Sequence, residues 1–83
     1  MKRIEWKPKA FRQLRKIKDL KQQALIHDAV SALSSFPDCA NVKRIKTTDM
    51  YRLRVGSWRV FFTESFEILW IEEVKKRNEN TYR

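Results

Sequence analysis

Hydrophobic positions recur along the chain with two periods, helical in the first half and alternating in the second. Within residues 8–18 the apolar side chains lie at helical spacing, at Ala10, Phe11, Leu14 and Ile17. Basic residues fill most of the remaining positions, a pattern typical of an amphipathic helix. Pro8 is tolerated in a first helical turn and favours a start there. We predict a basic helix over residues 8–18, preceded by a short edge strand in residues 2–6.

A second helix is predicted to follow and to form a helical hairpin with the first. Asp19, with Gln22 three residues later, resembles a capping box, so the second helix begins after Asp19. Pro37 and Asp38 end it, because proline cannot continue a helix. The predicted buried stripe of this helix consists of Leu25, Ile26, Ala29, Val30, Leu33 and Phe36.

The period changes to two after residues 42–49, a polar and basic connector that the pattern leaves unassigned. Residues 50–55 and 58–63 each place apolar side chains at alternate positions, as half-buried strands do. Gly56 and Ser57 between them fit a two-residue type II′ turn, which requires glycine first. Together these segments predict a β-hairpin.

A third strand in residues 67–74 completes the meander, and no repeat or linker interrupts the chain. A chain of 83 residues builds one modest core, so we predict a single domain over residues 1–83. The predicted fold class is α+β. It consists of a helical hairpin packed on a small, mainly antiparallel four-stranded sheet, in the order β-α-α-β-β-β.

The predicted hairpin register gathers arginines on one face. Pairing about the turn sets Arg54 opposite Arg59 and Arg52 opposite Phe61. Like charges directly opposite each other destabilise a hairpin. A bound phosphate would offset this repulsion, because guanidinium groups chelate phosphate oxygens and stay charged. The alternative is ion pairing with a glutamate of the neighbouring segment, and four are candidates: Glu64, Glu67, Glu72 and Glu73.

The charge balance indicates a polyanionic partner. Nineteen Lys+Arg against ten Asp+Glu give a formal net charge of +9, which attracts nucleic acid strongly on so small a surface. The alternative to a nucleic-acid partner is that the excess lysine only keeps the protein soluble. Arginines beside Phe61 fit a groove for single-stranded RNA with stacked bases. The segment after the third strand either adds to this site or is a solvated terminus; it contains Lys75, Lys76, Arg77, Tyr82 and Arg83.

The sequence lacks the residues that other catalytic or metal-binding sites require. His27 is the only histidine and falls on the polar side of the second helix, and Cys39 has no histidine partner in sequence to activate it. A single glycine excludes a glycine-rich phosphate loop, and no spacing of Cys, His or paired carboxylates suits a metal. We expect any catalysis to run without metal or cofactor.

The sequence also bears on location. No apolar stretch approaches the roughly 20 residues of a membrane helix, so we expect no membrane span. The charged opening of the chain has no apolar run behind it, so we expect no secretory signal. One cysteine permits no internal disulfide, which suits a reducing compartment. The expected location is the cytoplasm.

Two sequence segments, together with the helical hairpin before them, carry a family resemblance. They are YRLRVGSWRVFF at residues 51–62, followed by an apolar strand, and KKRNENTYR at residues 75–83. This combination resembles the RelE/ParE toxin superfamily. The resemblance implies the toxin of a toxin–antitoxin pair, with a cognate antitoxin as partner and a possible role with it in binding operator DNA. RelE-like members cut mRNA in the A site of the 70S ribosome, where a ribose 2′-hydroxyl attacks the adjacent phosphate and leaves a cyclic phosphate.

The resemblance also implies roles for individual residues. Arg59 corresponds to the arginine that stabilises the charged transition state, Arg77 to its companion near the leaving oxygen, and Tyr82 to a terminal tyrosine acting as general base. Tyrosine is a poor base at neutral pH unless nearby positive charges lower its pKa, and the basic tail supplies such charges. The RNA-binding candidates are Arg52, Arg54, Phe61, Lys75, Lys76 and Arg83.

Two other functions remain open from the sequence. ParE-like members poison DNA gyrase and are binding inhibitors without nuclease activity. A non-catalytic RNA-binding module could use the same basic sheet. The sequence favours the ribosome-dependent endonuclease, because Arg59, Arg77 and Tyr82 occur together.

Overall fold

Residues 1–46 and 48–76 are described by the structure, a computed structural model, and they form two helices on one face of a five-stranded sheet. In chain order the elements are β1 (Arg3–Trp6), α1 (Pro8–Arg15), α2 (Leu20–Ser31), a 3₁₀ turn (Ala32–Ser35), β2 (Val42–Arg44), β3 (Met50–Val55), β4 (Trp58–Ser65) and β5 (Ile68–Lys76). The predicted α+β class is confirmed.

The sheet contains one strand more than predicted. Its order is β1-β5-β4-β3-β2, with β1 parallel to β5 and every other pair antiparallel. The added strand, β2, lies in the connector that the sequence pattern left unassigned. It has only three residues and pairs Val42 with Leu53 and Lys43 with Arg52. Three residues are too few to show an alternation, so only the pairing with β3 defines this strand.

The bend between the helices is set by a side-chain cap. Asp19 Oδ1 accepts hydrogen bonds from the N–H groups of Lys21 (2.9 Å) and Gln22 (3.3 Å), which confirms the predicted start of α2. The first helix ends at Arg15, three residues earlier than predicted, because the chain must bend before this cap. Neither helix of the described chain has the length and hydrophobicity to cross a membrane.

The core lies between the helices and the sheet face that they cover. Ile26 and Val30 are the buried residues of α2, so the neighbouring Leu25, predicted to be buried, points outward and is 58% exposed. Among the described residues no helix covers the opposite face of the sheet, which carries the polar residues of β3, β4 and β5. The largest fully buried side chains are Phe62, Ile26, Leu33, Leu69, Ile71, Val30 and Val60.

Candidate nucleic-acid interface

The β3–β4 hairpin places the predicted arginines on the open face of the sheet. Arg54 lies opposite Arg59 and Arg52 opposite Phe61, in the predicted register. Gly56 has a φ of +56°, which glycine adopts without steric cost and which the first position of this turn requires. Side chains alternate across a strand, so the residues between these positions enter the core. The hairpin prediction is confirmed.

β5 extends the row of cations by one lysine. Lys75 pairs with Arg59 across the strands, so its side chain shares the open face. Lys76 follows directly and belongs to the opposite face, where it pairs with Trp58 and holds its Nζ 6.0 Å from the centre of that indole ring. The structure therefore brings Lys75 beside the arginines and separates Lys76 from them.

Three of the four candidate glutamates are paired with lysines instead. The ion pairs are Lys2–Glu64 (2.6 Å), Lys7–Glu72 (3.4 Å), Lys9–Glu73 (3.1 Å) and Lys75–Glu73 (3.7 Å). Glu72 also accepts a 2.9 Å hydrogen bond from the Thr63 hydroxyl. Within residues 1–46 and 48–76, no ion pair involves Arg52, Arg54 or Arg59. Neutralisation of the arginines by these glutamates, the alternative considered above, is not observed there.

A cleft runs along the β2 side of this face. Its volume is about 300 Å³, and its lining is formed by Asn41, Val42, Lys43, Arg52 and Arg54. Sequence reasoning missed Asn41 and Lys43. The signal for Asn41 was weak: its φ is +65°, a left-handed value that asparagine tolerates better than most residues. Lys43 had no signal, because only the pairing of β2 with β3 assigns it to the open face.

Phe61 gives the cationic face an aromatic surface. It is half-buried and lies in register between Arg52 on β3 and Glu73 on β5. An aromatic ring beside arginines suits a stacked base next to a bound backbone. The arginines can hold phosphate oxygens through paired donors, but they cannot accept a proton at any working pH. A reaction at this face needs its base from another residue or from solvent.

The predicted catalytic residues Arg77 and Tyr82 and the predicted RNA-binding residue Arg83 lie outside the described residues. Their roles stay predictions. No group of three His, Cys, Asp or Glu side chains in the described part of the chain could hold a metal ion.

Histidine and cysteine do not contribute to the open face. His27 is exposed on α2 and stacks on Trp6, with ring centroids 6.4 Å apart and planes at 4°. Burial, helped by the negative charge of Asp38, raises the pKa of the Cys39 thiol. The thiolate is the nucleophilic form of cysteine, so this shift lowers the reactivity of Cys39.

Comparison with known structures identifies the fold. An archaeal RelE in complex with RelB from Pyrococcus horikoshii superposes with a TM-score of 0.77 at 19% identity, over 94% of this chain and 97% of that one. The isolated Escherichia coli RelE toxin superposes with a TM-score of 0.77 at 14% identity, over 99% of this chain and 92% of that one. The YoeB dimer from Staphylococcus aureus superposes with a TM-score of 0.72 at 18% identity, over 93% of this chain and 98% of that one. These similarities show a shared fold.

The family follows from the sequence. No curated protein matches the chain significantly. The family model for the ParE toxin of the type II toxin–antitoxin system parDE matches residues 4–81, nearly the whole chain. The predicted membership of the RelE/ParE superfamily is confirmed: this chain belongs to the ParE toxin family and is the toxin of a type II toxin–antitoxin system.

Proposed function

We propose that this toxin is a ribosome-dependent, metal-independent mRNA endonuclease that cuts in the A site and thereby inhibits translation. The observation that supports the proposal best is the open sheet face on which Arg52, Arg54 and Arg59 share no ion pair with any described carboxylate. Adjacent arginines repel one another, and a phosphate placed among them relieves that repulsion. The proposed substrate is a single-stranded RNA backbone.

The proposed reaction is an internal transfer at phosphorus. The ribose 2′-hydroxyl attacks the adjacent phosphorus, the bond to the 5′-oxygen of the next nucleotide breaks, and a 2′,3′-cyclic phosphate remains on the upstream fragment. Tyr82, as the phenolate, accepts the proton of the 2′-hydroxyl, and a solvent water protonates the departing 5′-oxygen. The hydroxide that this leaves takes the proton from Tyr82, so the phenolate is regenerated. Arg59 and Arg77 hold the negative charge that develops on the phosphoryl oxygens, an interaction strongest in the transition state.

The other residues of the open face position the message. Arg52, Arg54 and Lys75 are placed to hold backbone phosphates, and Phe61 to stack on a base. Lys76 and Arg83, predicted from the sequence to bind RNA, would act from the opposite face and from the tail respectively. Their contribution to RNA binding is expected to be smaller than that of Arg52, Arg54 and Arg59.

We further propose that a cognate antitoxin binds and neutralises this toxin in the cytoplasm, and that the two together bind operator DNA. Structures with a similar fold include the complex of RelE with RelB and the complex of YoeB with YefM. The net charge of +9 favours an acidic partner and a polyanionic target alike.

Single-turnover cleavage of a ribosome-bound message tests the proposed chemistry. Removing a preorganised donor to the developing charge costs about 2.7–4 kcal/mol, or roughly two to three orders of magnitude in rate. Arg59→Ala should lose that much cleavage while keeping most of its ribosome affinity, since binding is spread over many cations. Tyr82→Phe should also slow cleavage. Lys18→Ala removes one positive charge from an exposed bend between the helices and should cut at the wild-type rate. An Arg59→Ala protein that cuts normally would refute the role of Arg59.

A gyrase poison is the second candidate function, favoured by the match to the ParE toxin family model over residues 4–81. In that case the open face would bind without chemistry. Wild-type protein that arrests gyrase supercoiling and leaves ribosome-bound mRNA intact would establish this function in place of the endonuclease.

A further inference from the structure

We propose that the cleft between β2 and β3 is a second phosphate subsite, in which Lys43 and Arg52 hold a backbone phosphate next to the one at Arg54 and Arg59. This inference rests on the proposed function, because it specifies the substrate as an RNA segment with at least two phosphodiesters. It adds Lys43 and Asn41 to the set of residues that bind the message.

The register supplies two cation pairs rather than one. Arg54 and Arg59 are cross-strand neighbours on β3 and β4, whereas Lys43 and Arg52 are cross-strand neighbours on β2 and β3. The two pairs are offset by two residues along β3. At about 3.4 Å per residue along a strand and about 4.8 Å between neighbouring strands, the centres of the two pairs lie roughly 8 Å apart. The long arginine and lysine side chains can reach successive phosphates over this distance. Each pair is thus placed for its own phosphate.

The charges of the cleft favour an anion. Three of its five lining residues are cationic and none is acidic: Lys43, Arg52 and Arg54 lie there with Asn41 and Val42. Lys43 is exposed on β2 and forms no ion pair with any residue that the structure describes. Lys43 lies directly opposite Arg52, so these two cations repel each other across the strands as Arg54 and Arg59 do. An oxyanion between them offsets the cost.

The shape of the cleft depends on Asn41. Its left-handed backbone turns the chain into β2, and its carbonyl accepts a 3.0 Å hydrogen bond from the Arg54 N–H, which fixes the lip of the cleft beside that arginine. The carbonyl is therefore occupied, whereas the side-chain amide remains available as a neutral donor to a phosphate oxygen. The volume of about 300 Å³ equals the share of about ten waters in the liquid. That is enough for a phosphate with part of its sugar.

NMR titration of the 83-residue chain with short RNAs tests the subsite without ribosomes or cleavage. The probes are a dinucleotide with one phosphodiester and a trinucleotide with two, both without terminal phosphates and with 2′-O-methyl groups to prevent cutting. Lys43→Gln should weaken the trinucleotide about tenfold, the loss expected for a charge-assisted hydrogen bond, and leave the dinucleotide unchanged. Lys43→Arg should restore trinucleotide binding. Lys18→Gln, with the same change of charge, should alter neither.

A second measurement uses salt dependence with a longer single-stranded RNA. Each neutralised phosphate contributes about 0.7 to the slope of log K against log salt for single strands. Lys43→Gln should reduce that slope by about 0.7, whereas Lys18→Gln should preserve it. The subsite is refuted if Lys43→Gln weakens dinucleotide and trinucleotide equally, or neither of them, or leaves the slope intact. These results are independent of cleavage, so they separate a wrong subsite from a wrong endonuclease assignment.

Discussion

Replacing Arg59 should make the fold more stable while it removes the proposed activity. Arg59 lies in register between two other cations, Arg54 on β3 and Lys75 on β5. Arg59→Gln removes the positive charge and keeps part of the aliphatic stem that packs on the sheet. The variant should therefore lose two repulsive contacts and few packing contacts.

The expected gain is small and depends on salt. A directly opposed pair contributes about 0.2–1 kcal/mol, and Glu73, 3.7 Å from Lys75, offsets part of the lysine charge. Two contacts near the lower end of that range predict a rise of about 0.4–1 kcal/mol in the free energy of unfolding. Screening shortens the Debye length from about 10 Å at 0.1 M salt to about 3 Å at 1 M, so most of the gain should vanish in high salt.

Urea denaturation at low and high salt measures this effect, because urea adds no ions. Lys18→Gln is the matched control, since it lowers the net charge equally from an exposed bend outside the sheet, where there is no cross-strand partner. Cross-strand repulsion at Arg59 is ruled out if Arg59→Gln is less stable than wild type at low salt, or if its gain equals that of Lys18→Gln at both salt concentrations.

Two further predictions concern the helices and the cysteine. Asp19→Ala should lower the free energy of unfolding by about 0.5–2 kcal/mol, because the N–H groups of Lys21 and Gln22 lose their acceptor. Asp19→Asn should keep most of the stability. Equal stability of the two variants in urea denaturation would contradict the capping role of Asp19. Burial and the charge of Asp38 raise the pKa of Cys39, so at mildly alkaline pH its alkylation by iodoacetamide should be slower in the folded than in the urea-unfolded protein. The folded-state rate should rise with pH and level off only above the raised pKa, and equal rates in both states would show that the thiol is not shielded.

The hairpin could be predicted because several local signals agreed. A glycine-first two-residue turn stood between segments of matched alternation, so the bounds of β3 and the pairing of Arg54 with Arg59 followed from the sequence. The bounds of α1 followed less well. Its apolar period continues to Ile17, but the chain bends before Asp19, the N-cap of α2, and α1 ends at Arg15. The apolar spacing does not show where the chain must bend to enter α2, so it could not predict the end of α1.

The candidate site could be predicted only where strands were recognised. Arg52, Arg54 and Arg59 were found because their strands alternate clearly. Lys43 was missed because three residues of β2 show no period. Lys76 was grouped with the arginines because the third strand was expected to end at Val74. The strand continues through Lys76, and its alternation sends this lysine to the helix-covered face.

RNA cleavage at the open cationic face and gyrase poisoning can be distinguished in two parallel reactions. Wild-type protein is incubated with ribosomes carrying a defined message and, in a separate reaction, with DNA gyrase and relaxed plasmid. We expect a cut in the A-site codon with a 2′,3′-cyclic phosphate on the upstream fragment, and unchanged supercoiling. Intact message on the ribosome together with arrested supercoiling would contradict this expectation.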